Sequence, residues 1–176
     1  MSATPRIRLC RRGDLEAVTA IYNQAVMDGG STADTAPVSL DQRLQWWLGH
    51  EPDQGHPVLV LEQEGKVLAF GSLSAYYDRP GYQETCELGY YVDRGSRGRG
   101  LGALMVHSLL ERAQQVGMRL AVAIIFDDNS ASKALLQRFG FSRFGLLSQA
   151  AWDRFVLHDV SYWSLSLERK GVGEPV

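Results

Sequence analysis

What the chain lacks narrows its possible classes. No stretch of about 18 apolar residues occurs, so no transmembrane helix is expected. Cysteine is scarce: Cys10 and Cys86 lie far apart, outside any CxxC or Cys/His cluster, so no metal-site or redox motif is indicated. The 4 histidines show no metal-ligand spacing. Neither sign of charge is in excess. Against 20 acidic residues stand 18 basic ones, a net charge of −2. A general nucleic-acid binder usually carries a basic surplus, so no nucleic-acid partner is expected. No internal repeat or low-complexity segment occurs. The residues from Met1 to Arg6 lack the apolar core of a signal peptide. A cytoplasmic protein with reduced thiols and no membrane partner is the expectation.

What is present fits one soluble domain. The length, 176 residues, suits a single core that needs no disulfide or metal. With 4 Trp, 7 Tyr and 6 Phe, wholesale disorder is excluded. Ile7 to Cys10 alternates weakly, as a first strand would. Leu15, Val18, Ile21, Tyr22, Ala25 and Val26 recur at helical steps, and Gly29-Gly30 stops that helix. Ser39 is placed to cap a second helix through Leu44, Trp47 and Leu48. Two apolar runs, 58–61 and 67–73, flank Glu64-Gly65 as a β-hairpin. A strand is predicted from Glu84 to Val92, and a helix from Leu101 to Gly117. The near-continuous apolar strand Leu120–Phe126 follows, as where both faces are covered. Asn129 or Asp128 caps a short helix through Leu135 and Phe139. Strands near 142–147 and 156–167 close the pattern. The order βααβββαβαββ predicts an α/β (α+β) fold, a mixed sheet with helices on its faces.

The most informative segment is Arg97-Gly98-Arg99-Gly100-Leu101-Gly102, between a strand and a helix. Its glycines permit positive φ and close approach of backbone to a ligand. It feeds a helix N-terminus, where unpaired N–H groups and the dipole favour an anion. Arg94, Arg97 and Arg99 against Asp93 leave a local charge of about +2. Together these predict a phosphate or pyrophosphate cradle; the plainer alternative is a surface turn with solvated arginines. The P-loop pattern G-x-x-x-x-G-K-[ST] is absent. Gly98-Arg99-Gly100-Leu101-Gly102-Ala103 also satisfies a dinucleotide fingerprint, and Asp127-Asp128 follows the next strand, so an NAD-binding enzyme is a lesser alternative. Against it, Asp93 to Arg97 separate strand from turn, where a dinucleotide turn follows its strand at once.

The same six residues match the R/Q-x-x-G-x-G/A motif of the GCN5-related N-acetyltransferases. Asn129, Leu135 and Gly140-Phe141 resemble that family's next motif. Ile21–Val26, Pro37-Val38-Ser39-Leu40, Tyr82–Glu87 and His158-Asp159-Val160 resemble its phosphinothricin and methionine-sulfoximine acetyltransferase branch. The resemblance implies one acetyltransferase domain over 1–169, with a mostly antiparallel sheet; residues 170–176, polar with two Gly and one Pro and without a period, read as a flexible tail. It implies acetyl-CoA as cosubstrate, no metal, a small-molecule amine as acceptor (an amino acid or analogue) and a homodimer.

By that resemblance, the backbone of Arg97, Gly98, Arg99, Gly100, Leu101 and Gly102 would hold the pyrophosphate. The backbone near Tyr90, Tyr91 and Val92 would pair with the pantetheine arm like an extra strand, and Asn129 and Ser132 would lie beside the cofactor. Glu87 matches the branch's proposed general base. An unbroken strand would put Glu87, Gly89 and Tyr91 on one face, and partial burial would raise the pKa of the carboxylate. A backbone N–H near Val92 is the implied oxyanion donor. Arg79 and Tyr82 match residues near the acceptor, and Ala33 matches a pocket aromatic. Two departures stand out. Leu136 occupies the usual Tyr/His position of the general acid. Asp153 stands where a Lys is expected and reads as a contact for a cationic acceptor or as a solvated loop charge. Without that acid, a CoA-binding sensor is the alternative function.

Overall fold

In the computed structural model, which describes residues 4–50 and 55–167, Val58, Leu59, Val60 and Leu61 are all buried. Successive side chains of a strand point to opposite faces, so a run buried at every position needs cover on both sides. The cover is helical. Strand β1 (Arg6–Leu9) leads to helices α1 (Leu15–Asp28) and α2 (Leu40–Leu48). Strands β2 (Val58–Gln63), β3 (Lys66–Ala75) and β4 (Thr85–Val92) follow, then α3 (Leu101–Gln115), β5 (Leu120–Phe126), α4 (Ser130–Arg138), β6 (Ser142–Trp152) and β7 (Leu157–Ser166). The element order is the one the sequence predicts.

The seven strands form one sheet in the order β1-β2-β3-β4-β5-β7-β6. Only β4 and β5 run parallel; the other pairings are antiparallel. Val58, Val60 and Phe70 pack with Leu15, Val18 and Ile21 of α1 on one face. Leu59, Leu61 and Leu88 pack with Met105, Leu109 and Leu136 on the other, under α3 and α4. This sheet is not the doubly wound parallel one that a dinucleotide domain requires.

Helix ends follow their sequence signals. The Ser39 hydroxyl accepts from the Gln42 N–H at 3.1 Å, and the Gln42 side chain accepts from the Ser39 N–H at 2.8 Å. This capping box satisfies two donors that α2 would otherwise leave unpaired. The Asn129 side chain accepts from the Ser132 N–H at 3.0 Å, so Asn129 rather than Asp128 caps α4.

One boundary differs. Strand β6 continues to Trp152, beyond the predicted end at Leu147. A register shift between Leu147 and Ala151 holds Gln149 at φ 47°. Asp159 Oδ1 accepts from the Gln149 N–H at 2.7 Å and from the Ser148 hydroxyl at 3.1 Å. The polar stretch Ser148-Gln149 reads as a strand end, but it is a bulge pinned from β7. The predicted tail at 170–176 lies outside the described residues.

Candidate active site

The parallel pair creates the first cleft. Pairing of β4 with β5 covers Thr85, Cys86 and Glu87 and goes no further, although β4 runs on to Val92 and β5 to Phe126. Past Glu87 the strands part, and β4 remains bonded only to β3 on that stretch. A cavity of about 490 Å³ fills the gap. Its walls include Tyr90, Tyr91 and Val92 of β4, and Ser132 and Leu135 of α4. Arg97, Gly98, Gly100, Leu101, Gly102 and Asn129 close one end.

At that end α3 begins. Gly100 is its N-cap residue at φ 78°, and no side chain caps the helix. Gly98 lies at φ 75°. A Cβ at either glycine would meet no protein atom within 4 Å. Both conformations are therefore left-handed, and both residues face open space. Uncapped N–H groups of a fifteen-residue helix, aimed into a cleft, suit a pyrophosphate.

The charge of this turn differs from the sequence count. Asp28, at the end of α1, pairs with Arg94 at 2.5 Å and with Arg97 at 3.2 Å. Including it lowers the local charge from about +2 to about +1. The Arg94 hydrogen bond holds the Asp28 carboxyl below its usual range. Arg99 donates to Gln63 at 2.7 Å and lies outside the cavity wall. Asp93 accepts from Gln24 at 2.9 Å, which ties the turn to α1. These arginines position the turn as well as charging it.

The second cleft lies on the opposite face of β4. Glu87, Gly89 and Tyr91 do share a face, and all three line a cavity of about 250 Å³. Glu87 is half-buried, and burial raises its pKa above the usual carboxylate value. Tyr91 packs edge-on to Tyr22 at 5.0 Å and stacks on Phe70 at 5.3 Å. The Tyr22 hydroxyl donates to Asp34 at 2.5 Å and meets Thr32 at 2.9 Å.

The reading of the sequence missed Arg43 in this wall. The residue is only 5% exposed, and its guanidinium carbon lies 4.1 Å from the Tyr22 ring centre and 4.5 Å from that of Trp46. Among the described residues no carboxylate reaches ion-pair distance of it, and its Nε is buried without a partner. Burial pulls its pKa down, and Tyr22, Tyr91 and Asp34 oppose that. A stacked guanidinium keeps its in-plane N–H edge free for an anion. The available signal was the spacing of Arg43, Trp46 and Trp47 on one helix face.

The other predicted residues separate. Ala33 is exposed, and its neighbour Asp34 lines the cavity instead. Arg79 and Tyr82 are exposed and do not line it; Tyr82 joins a cluster with Tyr76 and Tyr77. Burial raises the pKa of the Tyr76 phenol, and the Glu87 charge adds to the rise. Leu136 is fully buried in the core. Asp153 is neither an acceptor contact nor a solvated charge: it is 3% exposed and accepts from the N–H groups of Gly30, Phe155 and Val156. A fixed set of N–H donors and a histidine can bury a carboxylate that a lone loop could not. The Gly30 that it holds is part of the wall of the first cavity.

Cradle and carboxylate on two faces of one strand suit an enzyme that moves an acyl group from coenzyme A to an amine. The chain belongs to the acetyltransferase (GNAT) family, whose profile matches residues 18–141, and it is an N-acetyltransferase. It is 39% identical over 141 residues to YwnH of Bacillus subtilis, covering 80% of this chain and 85% of that one. It is 34% identical over 169 residues to the L-methionine sulfoximine/L-methionine sulfone acetyltransferase of Pseudomonas aeruginosa, covering 96% of each. Its fold is similar to that of the phosphinothricin acetyltransferase of Sinorhizobium meliloti, solved in complex with acetyl-CoA. That similarity has a TM-score of 0.87 at 26% identity, covering 99% of this chain and 94% of that one.

Proposed function

We propose that this N-acetyltransferase binds acetyl-CoA in the cleft beside β4 and acetylates the amine of a small amino acid or amino-acid analogue. One observation carries the reading: β4 divides a glycine-rich anion cradle on one side from a half-buried carboxylate, Glu87, on the other. The open space before Gly98 and Gly100, at the uncapped end of α3, fits a pyrophosphate. The backbone of Arg97 to Gly102 holds it, and the unpaired edge of Tyr91 and Val92 holds the pantetheine arm. Asn129 and Ser132 flank that arm from α4.

Acetyl-CoA supplies an acetyl group activated as a thioester. Glu87 removes a proton from the acceptor's amine, directly or through a water. Its raised pKa brings it nearer the pH at which a base is effective. A backbone N–H near Val92 stabilises the carbonyl oxygen as it gains charge. Arg43 gives the acceptor cavity a positive wall, which favours an acceptor carrying a carboxylate. The names of the relatives, which include L-methionine sulfoximine acetyltransferase and L-amino acid N-acyltransferase, support that class.

The test is release of free CoA thiol across a panel of amines, amino acids, sulfoximines and sulfones. Turnover is expected with acceptors bearing an α-carboxylate. Tight acetyl-CoA binding with no turnover on any member would instead favour a sensor.

A homodimer and a cytoplasmic location complete the proposal. Strand β6 is a sheet edge, and Phe144, Leu146, Leu147 and Trp152 on it are each about half exposed, as is Leu157 on β7. An apolar edge of this size suits a second copy of the chain. Light scattering should give twice the 19.5 kDa chain mass, and Leu146→Glu should halve it. Cys10 and Cys86 are both free and buried, which suits a reducing compartment.

A further inference from the structure

We infer that Tyr90 is the proton donor to the departing sulfur and replaces the acid missing at Leu136. The inference rests on the acetyl-transfer reading above.

Three observations meet at this residue. Leu136 is fully buried among core side chains and takes no part in the cavity wall. It can neither donate a proton nor reach a ligand. Tyr90 lines the cofactor cavity, and its hydroxyl oxygen is buried without a hydrogen-bond partner. A buried hydroxyl left unpaired is costly, and such groups are retained where a ligand satisfies them. Ser132 is close enough to the phenol to affect its proton affinity, and it precedes Leu136 by one helical turn on the same face of α4. The Tyr90 hydroxyl therefore reaches the wall of α4 from which the usual acid would project, coming from the opposite side of the cavity.

The alternation of β4 gives the arrangement its chemical sense. Glu87 and Tyr91 face the acceptor cavity, so Tyr90 faces away from it, toward α3 and α4. Deprotonation of the amine and protonation of the sulfur then occur on opposite faces of one strand. In the balanced step the C–N bond forms, the C–S bond breaks, and the amine's proton leaves through Glu87. The Tyr90 O–H proton goes to sulfur and is replaced from solvent. Burial raises the phenol's pKa, with Ser132 opposing, so the donor stays protonated at neutral pH. Burial beside Tyr90 and Leu135 penalises a thiolate in the same way, which favours its leaving as the thiol. The other ionisable groups in that wall are Asp28, Tyr91, Arg97 and Asp128. Asp28 and Arg97 are paired with each other, Asp128 contacts His158, and Tyr91 packs against Tyr22 and Phe70 toward the acceptor cavity, which leaves Tyr90 as the ionisable donor facing α3 and α4.

The experiment uses Tyr90→Phe, which keeps the ring and removes only the hydroxyl. Calorimetry compares CoA with desulfo-CoA, a readout that needs no turnover. The wild type should bind CoA about 3–10-fold more tightly than desulfo-CoA, and Tyr90→Phe should bind both alike. With an accepted amine, kcat should fall by about 10²-fold while KM for acetyl-CoA is nearly unchanged, and the alkaline limb of the pH–rate profile should disappear. Equal wild-type affinity for CoA and desulfo-CoA overturns the assignment, as does a variant that keeps its kcat. Equal loss of affinity for both ligands would mark Tyr90 as a packing residue and also overturn it. A wild type that discriminates between the two ligands but acetylates no amine refutes the acetyl-transfer reading while leaving the Tyr90–sulfur contact in place.

Discussion

His158 Nε2 lies 2.9 Å from Asp153 Oδ2, and both side chains are 3% exposed. On its other side, His158 Nδ1 meets Asp128 at 2.9 Å. Burial opposes ionisation of both partners. For His158 the two carboxylates outweigh it and raise the pKa; for Asp153 the backbone N–H groups and His158 outweigh it and lower the pKa. The raised His158 stabilises the fold fully below the unfolded value of 6.5 and loses that contribution as pH rises through its folded value. The lowered Asp153 contributes above the unfolded 3.8 and loses its part as pH falls. The pair should therefore stabilise most between these two values. Asp153→Asn should cost about 3–5 kcal/mol in urea unfolding near pH 6, because it leaves a buried histidine and several N–H groups poorly matched. An unchanged midpoint would show the pair to be dispensable.

Glu87→Gln should lower kcat at neutral pH by about 10²–10³-fold and leave CoA affinity nearly unchanged. In the wild type the rate should fall as pH drops through a Glu87 pKa lying above 4.5. The variant should lose that acidic limb. Its melting temperature should rise slightly, because a carboxylate whose pKa is raised by burial costs stability at pH 7. A preserved acidic limb in the variant would remove Glu87 as the base.

Gly100→Val should abolish CoA binding, measured by calorimetry, while the far-ultraviolet circular dichroism stays native. The residue sits at φ 78°, and its Cβ would project into open space, so the side chain meets the ligand rather than the protein. A β-branched residue there also costs on the order of 1–3 kcal/mol in backbone strain, so the melting temperature should drop by several degrees. Retained CoA affinity would displace the cradle from this turn.

Arg43→Gln should raise KM for acceptors bearing a carboxylate by about tenfold, with acetyl-CoA affinity and simple amines unaffected. Equal effects on both kinds of acceptor would assign Arg43 to packing between Tyr22 and Trp46.

Periodicity, caps and glycines are local signals, and they carried the element order. The run Val58 to Leu61, the Ser39 box and the Asn129 cap all read directly, because each depends on residues within a few positions. The cradle was equally legible, since its conformation is written in Gly98 and Gly100. What the sequence could not supply was any partner distant along the chain. Asp28 sits 66 residues from Arg94, so counting charge along one segment overestimated the charge of the turn. Asp153 read as a loop charge because Gly30 and His158 reach it only in the folded sheet.

The sequence by itself therefore determined the family, the strand-turn-helix that cradles an anion, and the shared face of Glu87, Gly89 and Tyr91. Those are properties of contiguous residues and of a strand's alternation. Only the tertiary structure decided that the β4–β5 ladder ends at Glu87, that Arg43 is buried beside the acceptor cavity, and that Tyr90 reaches the wall of α4. Each of these depends on how far two elements diverge or approach, which packing sets and spacing along the chain does not.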